Sequence, residues 1–151
     1  MAGTVVADTL QADSTSTLVL KNGVANTPPT IQDSAGTQIG TFCRAWVNFN
    51  GTTNTGGFCT IRASFNVTSV ADNGAGDYTV NFTTAMPDAN YATKITTNRS
   101  SNNTTLVNIS RIADELSAPT VSSVRIAQGV PDVSRVLQRE DASFIMVSIF
   151  R

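Results

Sequence analysis

Residues 45–91 read AWVNFNGTTNTGGFCTIRASFNVTSVADNGAGDYTVNFTTAMPDANY, a stretch that writes three or four β-strands separated by Asn/Gly turns. Apolar residues at Trp46, Phe49, Ile61, Phe65 and Val67 are interleaved with Asn, Thr and Ser. That pattern describes strands with one buried face and one turned to water. The surest reversal is Asp72-Asn73-Gly74-Ala75-Gly76-Asp77, because Asn and Gly tolerate the positive φ of a tight turn. The same six residues offer carboxylates and an Asn around two glycines, yet lack the spacing and the terminal Glu of an EF-hand loop, so a plain hairpin is expected.

Outward from this stretch, strand signals recur about every 8–12 residues, the spacing of an all-β sandwich or barrel. Strands are expected over 41–49, 58–70, 77–84, 91–98, 106–112, 120–126 and 143–150. The fold class is therefore all-β, an antiparallel β-sandwich with a jelly roll as one version of it. Two segments break the alternation. The polar run NRSSNNTT at 98–105 reads as a solvated loop, and DVSRVLQRED at 132–141 sets Val133, Val136 and Leu137 at helical spacing, as a short helix or a structured loop.

The first forty residues have another texture. Short apolar runs such as Val5-Val6, Leu18-Val19-Leu20 and Ile31 are cut by Asn22-Gly23, Pro28-Pro29 and Ala35-Gly36. They suit an extended N-terminal arm, residues 1–40, whose apolar residues pack when a neighbouring subunit supplies the second surface. Residues 41–151 then form the sandwich domain.

Of the 151 residues only 14% are charged and the net charge is -1. Such a surface does not grip phosphates, so no nucleic-acid partner is expected. The start, MAGTVVADTL, has neither a basic n-region nor an apolar h-region, and no segment approaches the ~20 apolar residues of a membrane helix. The expectation is synthesis in a cytoplasm without a signal peptide, and no membrane insertion. Cys43 and Cys59 fall on neighbouring strands out of register for a disulfide, so both are expected as free thiols.

The chain has no histidine, which removes Ser-His-Asp and Cys-His catalysis and a histidine base. The carboxylate pairs Asp114-Glu115 and Glu140-Asp141 lie in expected loops and read as solvated charges rather than a glycosidase couple. Two cysteines without histidine do not make a zinc site within one chain, and neither a metal nor a cofactor is expected. Alternation assigns Trp46, Phe49, Phe65 and Phe82 to the core. Tyr78 and Tyr91, each flanking a turn, are the aromatic residues left to present a hydroxyl to a ligand.

The pieces AWVNFNG (45–51), IRASFNV (61–67), DNGAGDYTVNFT (72–83), DANY (88–91) and the final IMVSIFR (145–151) resemble short phage and prophage tail-fibre-like virion proteins. The resemblance covers roughly a third of the chain strongly. It implies a non-enzymatic virion protein, a homotrimeric tail fibre or receptor-binding component that contacts host-surface polysaccharide or protein. It also implies that residues 1–40 attach to other virion proteins. The candidate contact residues are Tyr78, Tyr91, Arg99, Asn102, Asn103, Arg135 and Arg139. Alternative readings are a capsid decoration (cement) or head-fibre protein that clamps capsomers through its arm and, more distantly, a carbohydrate-binding module or a glycan depolymerase.

Overall fold

The computed structural model describes residues 31–98, 109–113, 118–131 and 137–151. Arg99, Asn102, Asn103, Arg135, Asp114, Glu115 and the first thirty residues lie outside them. Every regular element among the described residues is a strand: β1 (Ile31–Gln32), β2 (Gln38–Gly40), β3 (Cys43–Thr55), β4 (Phe58–Phe65), β5 (Val67–Gly74), β6 (Asp77–Phe82), β7 (Ala92–Thr97), β8 (Ile109–Ile112), β9 (Ser123–Pro131), β10 (Leu137–Arg139) and β11 (Ile145–Phe150).

β1 and β2 form a separate two-stranded hairpin, and the other strands make one curled antiparallel sheet. The sheet folds into two layers because β4 and β5 are paired only at Phe58 and Ala71. Between them Asn66 adopts φ 55°. Its side-chain amide donates to the carbonyls of Arg44 and Thr84, and its Oδ1 accepts from the Thr84 N–H. These bonds hold the chain in a conformation that Asn tolerates better than most residues. One layer runs β4-β3-β11-β7, and the other is β5-β6-β9 with β8 on the far edge of β9 and β10 continuing the edge that β6 occupies. On the side away from β4 and β5 the layers approach again, where Thr97 and Ser110 hydroxyls stand 3.3 Å apart. The all-β antiparallel sandwich expected from the sequence is the architecture found.

The core lies between the layers. Alternate residues Ala45, Val47 and Phe49 of β3 and Ile145, Val147 and Ile149 of β11 face Val70, Tyr78, Val80, Phe82, Val124 and Ile126 from the other layer. Phe49 and Tyr78 meet edge to face at 5.2 Å, as do Phe82 and Tyr91 at 5.8 Å. Gly51 is required where it stands, because a Cβ there would come within 2.5 Å of the Tyr78 hydroxyl and 2.8 Å of Ile145 Cδ1. Burial pushes the Cys59 thiol up to about 12, and Cys43 is also free, as expected.

The expected strands are present with several differences, among them that the strand expected over 120–126 starts at Ser123 and runs on to Pro131, and that residues 106–108 of another lie outside the described residues. The segment 58–70 is broken at Asn66 into strands of different layers. β3 runs on to Thr55 because bulges in its pairing with β4 carry it past Phe49. Of the segment expected as a helix or a structured loop, residues 137–139 form β10, paired with β9; 132–136 lie outside the described residues, as does most of the 98–105 loop. Within the expected arm, residues 31–40 form the β1–β2 hairpin.

Candidate functional site

Opposed residues of an antiparallel pair project from the same face of a sheet. Phe65 stands opposite Trp46, Trp46 opposite Ser148, and Ser148 opposite Lys94. Two residues along, Ala63, Asn48, Met146 and Thr96 line up in the same way. These two rows cross all four strands of the first layer. Their neighbours Val47, Phe49, Ile145 and Val147 are buried in the core, so the rows form the outer face.

That face is apolar at its centre. Trp46 is 39% exposed, Phe65 55%, Met146 41% and Phe144 44%. Single exposed hydrophobes are ordinary, but large side chains gathered on one face mark an interaction surface. Arg62 is the extra residue of the bulge that shifts the β3–β4 register between Asn48 and Phe49, and the bulge sends its side chain across β3 toward β11. Its guanidinium donates to the Ser143 carbonyl at 2.6 Å and lies 4.1 Å over the Phe144 ring, a cation–π contact that holds the ring in place while leaving it open to water.

The electrostatics of the face have one sign. β3, β4, β7 and β11 contain no Asp or Glu, and Arg62 and Lys94 are exposed on them. Asp88, nearby in the chain, is taken up by Arg151, whose Nε and NH2 donate to its two oxygens at 3.0 and 2.5 Å. The Arg151 hydrogen bond holds that carboxyl below its usual range.

Two of the sequence-predicted contact residues are corrected by their burial. Tyr78 is completely buried, its O–H donating to Asp141 Oδ1 at 2.7 Å with the Gly51 carbonyl also within reach at 3.2 Å. Burial, reinforced by the Asp141 carboxylate, raises its pKa. Tyr91 is buried too, its hydroxyl shared between the carbonyls of Ser123 and Thr120 at 2.9 and 3.0 Å, and burial pushes its pKa up to about 12. Both hydroxyls are spent inside the fold and have none to offer a ligand. Arg139 is half-exposed but bound to Asp77.

Asp77 is the centre of a second polar cluster. It opens β6, is buried, and accepts hydrogen bonds from Arg125 Nε and NH2 at 2.8 and 2.7 Å, from Arg139, and from Asn73 at 3.3 Å. The Arg125 bond is the main reason its carboxyl lies below the usual range. This cluster ties β9 and β10 to β6. Asp141 likewise binds the Gly76 N–H at 2.8 Å besides Tyr78, so the Glu140-Asp141 pair holds one loop against another. Among the described residues no three His, Cys, Asp or Glu side chains gather as metal ligands would.

No family model, curated protein or solved structure matches the chain. The functional reading therefore rests on the outer face. Sequence reasoning placed Trp46 and Phe65 in the core, and the structure turns both outward. The signal was available: Trp46 and Phe49 are three apart, and a regular strand sends such residues to opposite faces.

Proposed function

We propose that this chain is a non-enzymatic structural protein of a virion, a tail-fibre-like component that assembles as a homotrimer and contacts the host surface. The observation that carries this reading is the exposed aromatic and methionine face of β4, β3, β11 and β7. A chain that worked alone would leave Trp46, Phe65 and Met146 in water at a cost in solubility; a chain that works in an assembly uses them as the centre of an interface. The quoted sequence pieces that resemble tail-fibre-like virion proteins support the same reading. So does the neutral, hydroxyl-rich composition, which suits contact with neutral or polar partners better than with phosphate backbones.

In this reading residues 1–40 attach the protein to other virion proteins, and residues 41–151 form the projecting knob, whose loops meet host polysaccharide or protein through several weak contacts acting together. The test is the copy number and location of the protein on intact particles, read from a cryo-electron microscopy map. A few trimers at the tail support the proposal. Hundreds of copies on the capsid lattice replace the fibre with a decoration protein, and absence from particles overturns both.

A further inference from the structure

Two of the surfaces on which this chain exposes large apolar side chains carry charges of opposite sign. One is the outer face described above, with Arg62 and Lys94 and no acidic residue on its four strands. The other is the β1–β2 hairpin, in which every residue from Ile31 to Ile39 is exposed. Ile31 lies over Gly40, and Ile39, the extra residue of a bulge, is 64% exposed. The hairpin's one charge is Asp33, whose Oδ1 accepts from the Ala35 and Thr37 N–H groups at 2.9 Å and so fixes the turn. A two-stranded hairpin is marginal in water unless something covers it.

We propose that the hairpin of one copy seats on the outer face of the next, Ile31 and Ile39 against Trp46, Phe65 and Met146, with Asp33 facing the cationic side chains. The inference rests on the self-association part of the proposed function and specifies its geometry. Two outer faces placed against each other would set Arg62 and Lys94 of one copy against those of its partner, and like charges across an interface are disfavoured. Of the acids that flank these strands in sequence, Asp88 is bound by Arg151 and Asp141 by the Tyr78 hydroxyl and the Gly76 N–H. The hairpin supplies both the apolar cover and the opposite charge. A contact between two different patches is heterologous, and when its rotation closes it makes a ring, of which a trimer is one.

The experiment compares three full-length chains by size-exclusion chromatography with light scattering over a concentration series: the wild type, Ile39→Lys, and the double variant Trp46→Lys/Phe65→Ser. All three positions are exposed, so the variants are expected to fold. The wild type assembles, and each variant alone has its association weakened at least roughly thirtyfold, the effect of losing a central apolar anchor. Mixing the two variants restores one intact hairpin-to-face contact and gives a species of two chains that does not grow further, which also shows that both are folded. Assembly of Ile39→Lys like the wild type would remove the hairpin from the interface while leaving self-association standing. Variants that stay monomeric when mixed would also overturn the hairpin contact. A wild type that is monomeric throughout, including one that binds a glycan as a monomer, would overturn both the contact and the self-association on which it rests.

Discussion

Trp46 and Phe65 stand directly opposite each other on β3 and β4 and project to the outside, while the residues that flank Trp46 in the chain, Ala45 and Val47, are buried. Because neither ring is in the core, replacing both with Ser is expected to cost the monomer, compared at a concentration too low for association, about 1–2 kcal/mol, the loss of a half-exposed cross-strand pair. Phe49→Ala, one position past the outward-facing Asn48, is expected to cost about 3–5 kcal/mol. Urea denaturation of the three chains measures the contrast; a large loss in the Ser variants would place those rings in the core after all.

The Tyr78 hydroxyl is a structural group. Tyr78→Phe keeps the ring against Phe49 and removes the bond to Asp141, and it is expected to cost about 1–3 kcal/mol by the same assay. Gly51→Ala pushes a methyl group into that hydroxyl and into Ile145 Cδ1, and it is expected to cost about 1–3 kcal/mol through overpacking.

Asp77 makes stability depend on acid. Its folded pKa lies below the unfolded value because Arg125 binds the carboxylate. The stabilisation is present above the ordinary carboxylate pKa and is lost as pH falls through the lower, folded value. The urea midpoint is expected to drop as pH falls below the ordinary carboxylate range, and Asp77→Asn is expected to be less stable at neutral pH with a shallower fall in acid. An unchanged acid slope in that variant would assign the loss to other carboxylates.

Gln128 is completely buried on β9, and among the described residues neither its side-chain oxygen nor its nitrogen has a hydrogen-bond partner. Its position two along from Ile126 gives it the parity of the core residues Val124 and Ile126. An unpaired buried amide is costly, so Gln128→Met, similar in length and without the amide, is expected to raise the unfolding free energy by about 1–2 kcal/mol. Thermal or urea denaturation reads the sign directly.

Much of the fold was legible in short stretches. Ala45, Val47 and Phe49 keep one parity, as do Tyr78, Val80 and Phe82, and those sets are the core. Tyr78 belongs to its set by position, so reading it as a free hydroxyl weighed the adjacent turn above the alternation. Trp46 and Phe49 have opposite parity, so the alternation that assigns both to the core fails for Trp46, and hydrophobicity alone does not tell a core from an interface. The break at Asn66 depends on one left-handed residue held by carbonyls of distant segments, and the Asp77–Arg125 pair joins residues 48 apart. No window of sequence contains either relationship.

Trp46 is the chain's single tryptophan, so its fluorescence reports the outer face without labelling. Emission and quenching by acrylamide, measured across a dilution series alongside the mass from light scattering, test most directly that this face is where copies meet. As the mass rises, emission is expected to shift to the blue and quenching to fall. Emission and quenching that stay constant while the mass rises would place the interface elsewhere, and a mass that never rises would contradict self-association.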